Sequence, residues 1–277
     1  MDRIALGGDD SESWEIARRL VHARRRAEAL TVYPGTRPAT LEAGYASQDA
    51  AIGLWPTPVA GWKVGRIPDA WQARLGEDRL VGPIFADAVQ GADAAAAARF
   101  EVIEGGFAAV EAEFVFRLGA DAPPHKTEWS DAEAAALVEA LLVGVELAGS
   151  PMAMINEWGP AVVVSDFGNN AGLVLGPAIP DWHGRDEDAL SCETFIDDRS
   201  VGTGRASAIS GGTLAALRFA LSRCARRGMP LKAGQLVSTG AATGIHDIRA
   251  GQRARIEFAG IATIHCVAVP AQPKGEA

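Results

Sequence analysis

The chain has 277 residues, with 35 Asp and Glu against 26 Lys and Arg and a formal net charge of −9. That balance argues against a nucleic acid or an anionic membrane as the main partner, and no apolar run reaches the roughly 18 residues of a membrane-spanning helix. A hydrophobic content of 48% with 22% charged residues is that of a globular protein with a sizeable core.

The stretch Met1–Asp10 lacks the basic-then-apolar order of an export signal. Cys192, Cys224 and Cys266 are far apart with no Cys-x-x-Cys, so reduced core thiols in a cytoplasmic protein are expected. The five histidines show no zinc-ligand spacing.

Residues 11–29 are predicted to form a helix, with Ser11 as cap and Trp14, Ala17, Leu20 and Val21 as its stripe. Its basic end, Arg24-Arg25-Arg26, reads as a solvated helix terminus. A second helix is expected over 40–54, after the Tyr33-Pro34-Gly35 turn. Val59 to Gly65 reads as a buried strand carrying one lysine, Lys63, which either snorkels out or faces a polar cavity. A short helix over 68–75, the segment Val81 to Asp87 and an Ala-rich turn or surface piece over 90–99 follow.

Val110 to Leu118 reads as a strand. Val110, Ala112, Phe114, Phe116 and Leu118 occupy one face, and Glu111, Glu113, Val115 and Arg117 the other. Ser130-Asp131-Ala132-Glu133 is a capping box predicted to open a helix to about Val143. Glu146 comes next, between Val145 and Leu147. A strand over 161–165, a polar loop over 166–170 and an apolar run over 173–176 are expected. Weaker strands over 191–195 and 205–209 precede a helix over 212–227. The tail reads as strands over 234–240, 253–258 and 261–269. Together these elements predict an α+β, mostly β fold without the regular alternation of a doubly wound sheet. No linker demands a domain boundary. The motifs of dinucleotide-binding, P-loop and nucleophile-elbow enzymes are absent.

Glu111, Glu113 and Glu146 stand out by context. A hard cation such as Mg²⁺ or Mn²⁺ takes oxygen ligands in octahedral geometry, so three carboxylates leave about three positions for water and a chelated 2-oxo acid. Lys63 would then offer a proton or a counter-charge. A solvated edge face explains the Glu-x-Glu pair equally simply, and the residues alone leave both readings open.

Nine segments in order resemble the fumarylacetoacetate hydrolase superfamily, and within it the branch of the 2-oxopent-4-enoate hydratases and 4-oxalocrotonate decarboxylase. They run from Gly44-Tyr45-Ala46-Ser47-Gln48, Gly61-Trp62-Lys63-Val64-Gly65 and Phe85-Ala86-Asp87 to Val110-Glu111-Ala112-Glu113 and Val145-Glu146-Leu147. Ser165-Asp166 with Leu173 to Gly176, Gly202 to Ser207, Ser238-Thr239-Gly240-Ala241 and Ile256 to Ile261 complete the series. Two places depart from the pattern. Leu80-Val81-Gly82 lacks an Asp that the hydratases usually carry there, and Phe167 stands where an Asn commonly follows the Asp.

The resemblance implies a mixed β-roll or barrel core with N-terminal and peripheral helices. Residues 1–57 would form a helical segment packing on a catalytic domain over 58–277, in a homo-oligomer. It implies Mg²⁺ or Mn²⁺ on Glu111, Glu113 and Glu146, with Lys63 catalytic. Gly240 is expected at the substrate, and Asp166 stays open between capping its loop and touching substrate. The implied activity is hydration of a short 2-hydroxy-dienoate to a 4-hydroxy-2-oxo acid in aromatic-compound catabolism. Alternatives are decarboxylation of a vinylogous 2-oxo acid, or a non-catalytic assembly partner of such an enzyme.

Overall fold

The computed structural model describes residues 8–275. Residues 1–7, part of the stretch scanned for an export signal, lie outside the described residues. Helix α1 (Gly8–Arg26) buries Ile16, Ala17, Leu20 and Val21, whereas Trp14, expected on that stripe, is 44% exposed. It packs on α2 (Leu41–Leu54), whose first turn is capped by Thr40 accepting from the Ala43 amide. The two helices share one apolar core with the strands that follow.

In chain order these are β1 (Val59–Arg66), α3 (Asp69–Leu75), β2 (Arg79–Phe85), β3 (Val89–Gly91), β4 (Ala98–Val102), β5 (Phe107–Leu118), α4 (Asp131–Ala135) and β6 (Val138–Ser150). Next come α5 (Pro160–Ser165), β7 (Asn170–Ala178), β8 (Ser191–Ile196), β9 (Arg199–Arg205), α6 (Thr213–Arg226) and β10 (Leu236–Ser238). β11 (His246–Asp247), β12 (Arg253–Phe258) and β13 (Ala262–Pro270) end the series. One sheet runs β2-β1-β10-β5-β6-β7-β3, with β11 pairing on β5, and the second runs β4-β13-β12-β8-β9. The expected mostly β, α+β architecture is what the chain adopts.

The spine is the antiparallel β5–β6 ladder, in register from Phe107 opposite Ser150 to Arg117 opposite Ala140, with a shift before Leu118 pairs Val138. One face of β5 enters the main core, where Phe114 meets Phe258 of the second sheet with ring centroids 5.8 Å apart. The other face is buried as well. Val115 packs with Ile84, Leu142, Leu173 and Leu236 in a separate small cluster. Glu111 and Glu113 are therefore 3% and 0% exposed, which excludes the solvated-edge reading.

Three local expectations fail. The capping box at Ser130 forms, with Ser130 and Glu133 bonding reciprocally, but the helix stops at Ala135 and the chain enters β6. Pairing along the whole of β5 overrides the helical pattern. Residues 161–165, expected as a strand, lie in a buried helix opened by Pro160 after Gly159. The strand expected over 205–209 is instead a short turn after the end of β9 at Arg205, whereas the Ala-rich piece over 90–99 is largely the exposed surface segment expected.

The sheets meet closely at the edge strand β9. Gly204 faces the Ala242 carbonyl so tightly that a side chain at that position would overlap it, and Gly202 backs onto Thr243 and His246. Among the described residues, no helix is long and apolar enough to cross a membrane.

Candidate active site

Register builds the site. Glu111 on β5 stands directly opposite Glu146 on β6, and Glu113 lies opposite Gly144. The two strands thus bring three carboxylates to one buried patch, with ligand oxygens within 4.8 Å of one another. Like charges facing each other across a ladder are destabilising, and burial adds a desolvation cost. Burial, followed by the charge of Glu146, pushes the Glu111 carboxyl up to about 8. The same causes, with Glu111 added, hold Glu113 well above the usual carboxylate range.

The surroundings orient these acids without saturating them. Glu113 Oε2 accepts from the Ser238 hydroxyl and from the Gly240 amide at 2.9 Å. Glu146 Oε1 accepts from Asn170 Nδ2 at 3.0 Å and faces Lys63 Nζ at 3.3 Å. One oxygen of each acid is left buried with no hydrogen-bond partner: Oε1 of Glu111, Oε1 of Glu113 and Oε2 of Glu146. Buried carboxylate oxygens are rarely left unpaired, and three that converge match the donor set of one hard divalent cation. The residues fit the metal that the sequence implies.

Lys63 faces inward and is only 5% exposed, which resolves the choice between snorkelling and a polar cavity. Its ammonium donates to the Gly168 carbonyl at 3.1 Å and to Asn169 Oδ1 at 3.2 Å. Burial works against its charge, but the carboxylates of Glu146, Glu111 and Glu113 outweigh that and raise its pKa above the ordinary lysine value. Lys63, Glu111, Asn156, Asn169 and Gly240 line a cavity of about 470 Å³, within the usual range for small-molecule sites. Its remaining walls are mostly apolar, including Val64, Leu80, Val163 and Ile209.

Of the six residues expected at the site, five come together: Lys63, Glu111, Glu113, Glu146 and Gly240. Asp166 does not join them. Its Oδ1 is paired with Arg24 Nε at 2.6 Å, its Oδ2 accepts from the Ser150 hydroxyl at 2.6 Å, and it does not line the cavity. Arg24 also donates to the carbonyls of Gly149, Asp166 and Asn170, so this one residue of the expected solvated helix end is a buried clamp on the segment behind the site, while Arg26 is exposed. Asn169, Asn170 and Ser238 were not singled out as site residues. Their signals were a polar loop over 166–170 and a Ser-Thr-Gly step, each common in turns.

The family model for the fumarylacetoacetate (FAA) hydrolase C-terminal domain matches residues 87–268, about two thirds of the chain. The chain belongs to the fumarylacetoacetate hydrolase family. It is 28% identical over 229 residues to 2-keto-4-pentenoate hydratase 2 of Dechloromonas aromatica (strain RCB), covering 80% of this chain and 84% of that one. It is 31% identical over 157 residues to a 4-oxalocrotonate decarboxylase of a Pseudomonas species, covering 56% and 58%. The fold superposes on the 4-oxalocrotonate decarboxylase of Pseudomonas putida G7 complexed with magnesium and adipate. The TM-score is 0.78 at 16% identity, over 97% of this chain and 100% of the other. A fumarylpyruvate hydrolase from Pseudomonas aeruginosa, in complex with Mn²⁺ and pyruvate, superposes less closely. Its TM-score is 0.54 at 18% identity, over 78% and 91% of the two chains.

Proposed function

We propose that this family member is a divalent-cation-dependent lyase of short 2-oxo acids. Within that class we assign it hydration of a 2-hydroxy-dienoate of the 2-oxopent-4-enoate type, giving a 4-hydroxy-2-oxo acid. One observation carries the reading: three buried carboxylates each leave an oxygen unpartnered beside an ammonium group on a small-molecule cavity.

Glu111, Glu113 and Glu146 would hold Mg²⁺ or Mn²⁺. When bound, the cation supplies Lewis acidity toward a keto oxygen and stabilises the negative charge of a dienolate. The protein's residues supply position and protons. Lys63 carries a proton at Nζ and is the general acid. Asn170 orients Glu146, while Ser238 and Gly240 orient Glu113. The apolar wall shields the double bond from bulk water, and Asn156 and Asn169 are the polar groups that hold the water that adds. The match to the hydratases over most of their length supports this branch. A cytoplasmic homo-oligomer engaged in aromatic-compound catabolism completes the proposal.

A second reading, decarboxylation of a vinylogous 2-oxo dioate, is favoured by the superposition on 4-oxalocrotonate decarboxylase. Purified protein with Mg²⁺ and 2-hydroxypenta-2,4-dienoate should deplete the dienol absorbance. No loss at high protein concentration would sink the hydratase assignment. CO₂ release from 2-oxohex-3-enedioate would select the decarboxylase instead.

A further inference from the structure

The segment behind Lys63 coils the wrong way. Phe167, Gly168 and Asn169 have φ of 58°, 63° and 57°, three consecutive residues in left-handed backbone, and two of them are not glycine. Left-handed backbone is disfavoured for an L-residue with a side chain, so such a run persists only where its surroundings over-determine it. Here they do. The Phe167 ring is 1% exposed and packs edge-on against the stacked pair of Phe85 and Trp55, at 4.9 Å and 5.3 Å between centroids. Gly82 passes so close beneath the turn that a Cβ there would overlap the Phe167 carbonyl. Behind it, Arg24 grips Asp166 and the carbonyl of Asn170.

The turn carries both uncharged acceptors of the Lys63 ammonium, the Gly168 carbonyl and Asn169 Oδ1. A right-handed turn would carry these two groups away from Nζ. The Phe167 ring itself does not line the cavity that holds Lys63 and Glu111. It touches the site only through the backbone it holds.

We propose that Phe167 is a positioning residue: its edge-on packing against the Trp55–Phe85 pair keeps residues 167–169 left-handed and so fixes where the Lys63 ammonium stands. This rests on the reading of Lys63 as the proton-bearing group of the site. The test reads Lys63 directly, so its outcome is separate from whichever 2-oxo acid the protein converts.

The chain has only four lysines, and Lys126, Lys232 and Lys274 serve as surface references. Full-length Phe167→Ala and wild type are labelled with acetic anhydride at one pH and mapped by mass spectrometry, and Mn²⁺ affinity is measured by calorimetry. Lys63 labelling, normalised to the three references, should rise at least about tenfold, as loss of a charge-assisted hydrogen bond implies. Mn²⁺ affinity should not fall by more than about twofold, because Phe167 is not a hydrogen-bond partner of Glu113 or Glu146 and a displaced Lys63 only takes a positive charge from beside Glu146. Phe167→Leu, which keeps apolar bulk, should restore most of the protection. Unchanged Lys63 labelling in Phe167→Ala would overturn the proposal. If that variant does not fold, Trp55→Ala takes its place, since it removes one of the two rings that Phe167 packs against. Its Lys63 labelling should rise, and wild-type labelling there would equally overturn the proposal.

Discussion

Glu111 and Glu146 stand directly opposite one another across the β5–β6 ladder, both buried, with Lys63 reaching only Glu146. Metal-free protein therefore holds protons at Glu111 and Glu113 that the unfolded chain releases near pH 4.5. Both folded-state pKa values are raised, so their contribution to stability is present below the unfolded value and is lost as pH rises, that of Glu111 through about 8. Thermal scans of chelator-treated protein should show the melting temperature falling between pH 5 and pH 9. Mn²⁺ should raise it by more at pH 8 than at pH 5, because at low pH the ion must displace protons. A metal-induced shift independent of pH would contradict this account of the three acids.

Glu113→Gln replaces an acid that metal-free protein keeps protonated with its neutral isostere. Stability without metal should change little at pH 4, where the acid is protonated folded or unfolded, and the variant should exceed wild type by about 1.4 kcal/mol for each pH unit above the unfolded value, or about 2 kcal/mol at pH 6. Affinity for Mn²⁺ should drop by at least about a hundredfold, more than loss of an outer contact costs. Calorimetric titration and thermal scans check both. A variant that binds the ion as wild type does would leave the assembly-partner reading standing.

Lys63→Met keeps the bulk of the side chain and removes the proton. Turnover should fall by about 10²–10⁴, the usual weight of a general acid. Mn²⁺ should bind at least as tightly as in wild type, since a positive charge 3.3 Å from Glu146 has been removed. Steady-state kinetics alongside metal titration separate the two effects.

Arg24→Ala strands the Asp166 carboxylate in the interior with only Ser150 as partner. Breaking such a buried pair costs about 3–5 kcal/mol, to be read from urea unfolding. Asp166→Asn distinguishes anchor from substrate contact. An anchor lowers stability and leaves KM within about twofold, whereas a substrate contact raises KM.

Much of this was legible in the residues, and the limits have physical causes. Glu-x-Glu on an apolar strand announced the acid patch, because alternation assigns both acids to one face whatever the strand pairs with. What lies over that face depends on Ile84, Leu142, Leu173 and Leu236, which come from four other strands, so its burial could not be read locally. The capping box correctly marked where a helix starts, but nothing near Ala135 signalled that β5 would claim the next residues. Arg24 looked like its exposed neighbours in the basic run. Its partners lie about 125 to 146 positions away, beyond any periodicity. The left-handed turn was hinted at by Gly168 and Asn169, two residues that tolerate positive φ, but not by Phe167, which only its aromatic neighbours hold there.

Gly204 of β9 has a bearing on redesign. The backbone it presses against belongs to the stretch that also carries Gly240, Ile245 and Asp247, all on the cavity wall. With no free space behind it, that wall cannot retreat to admit a bulkier acid, and enlarging side chains on β9 would drive it inward. Libraries for larger substrates should leave that side alone and vary Val163 and the 208–210 segment instead. There the barrier is side-chain volume, which substitution can trim.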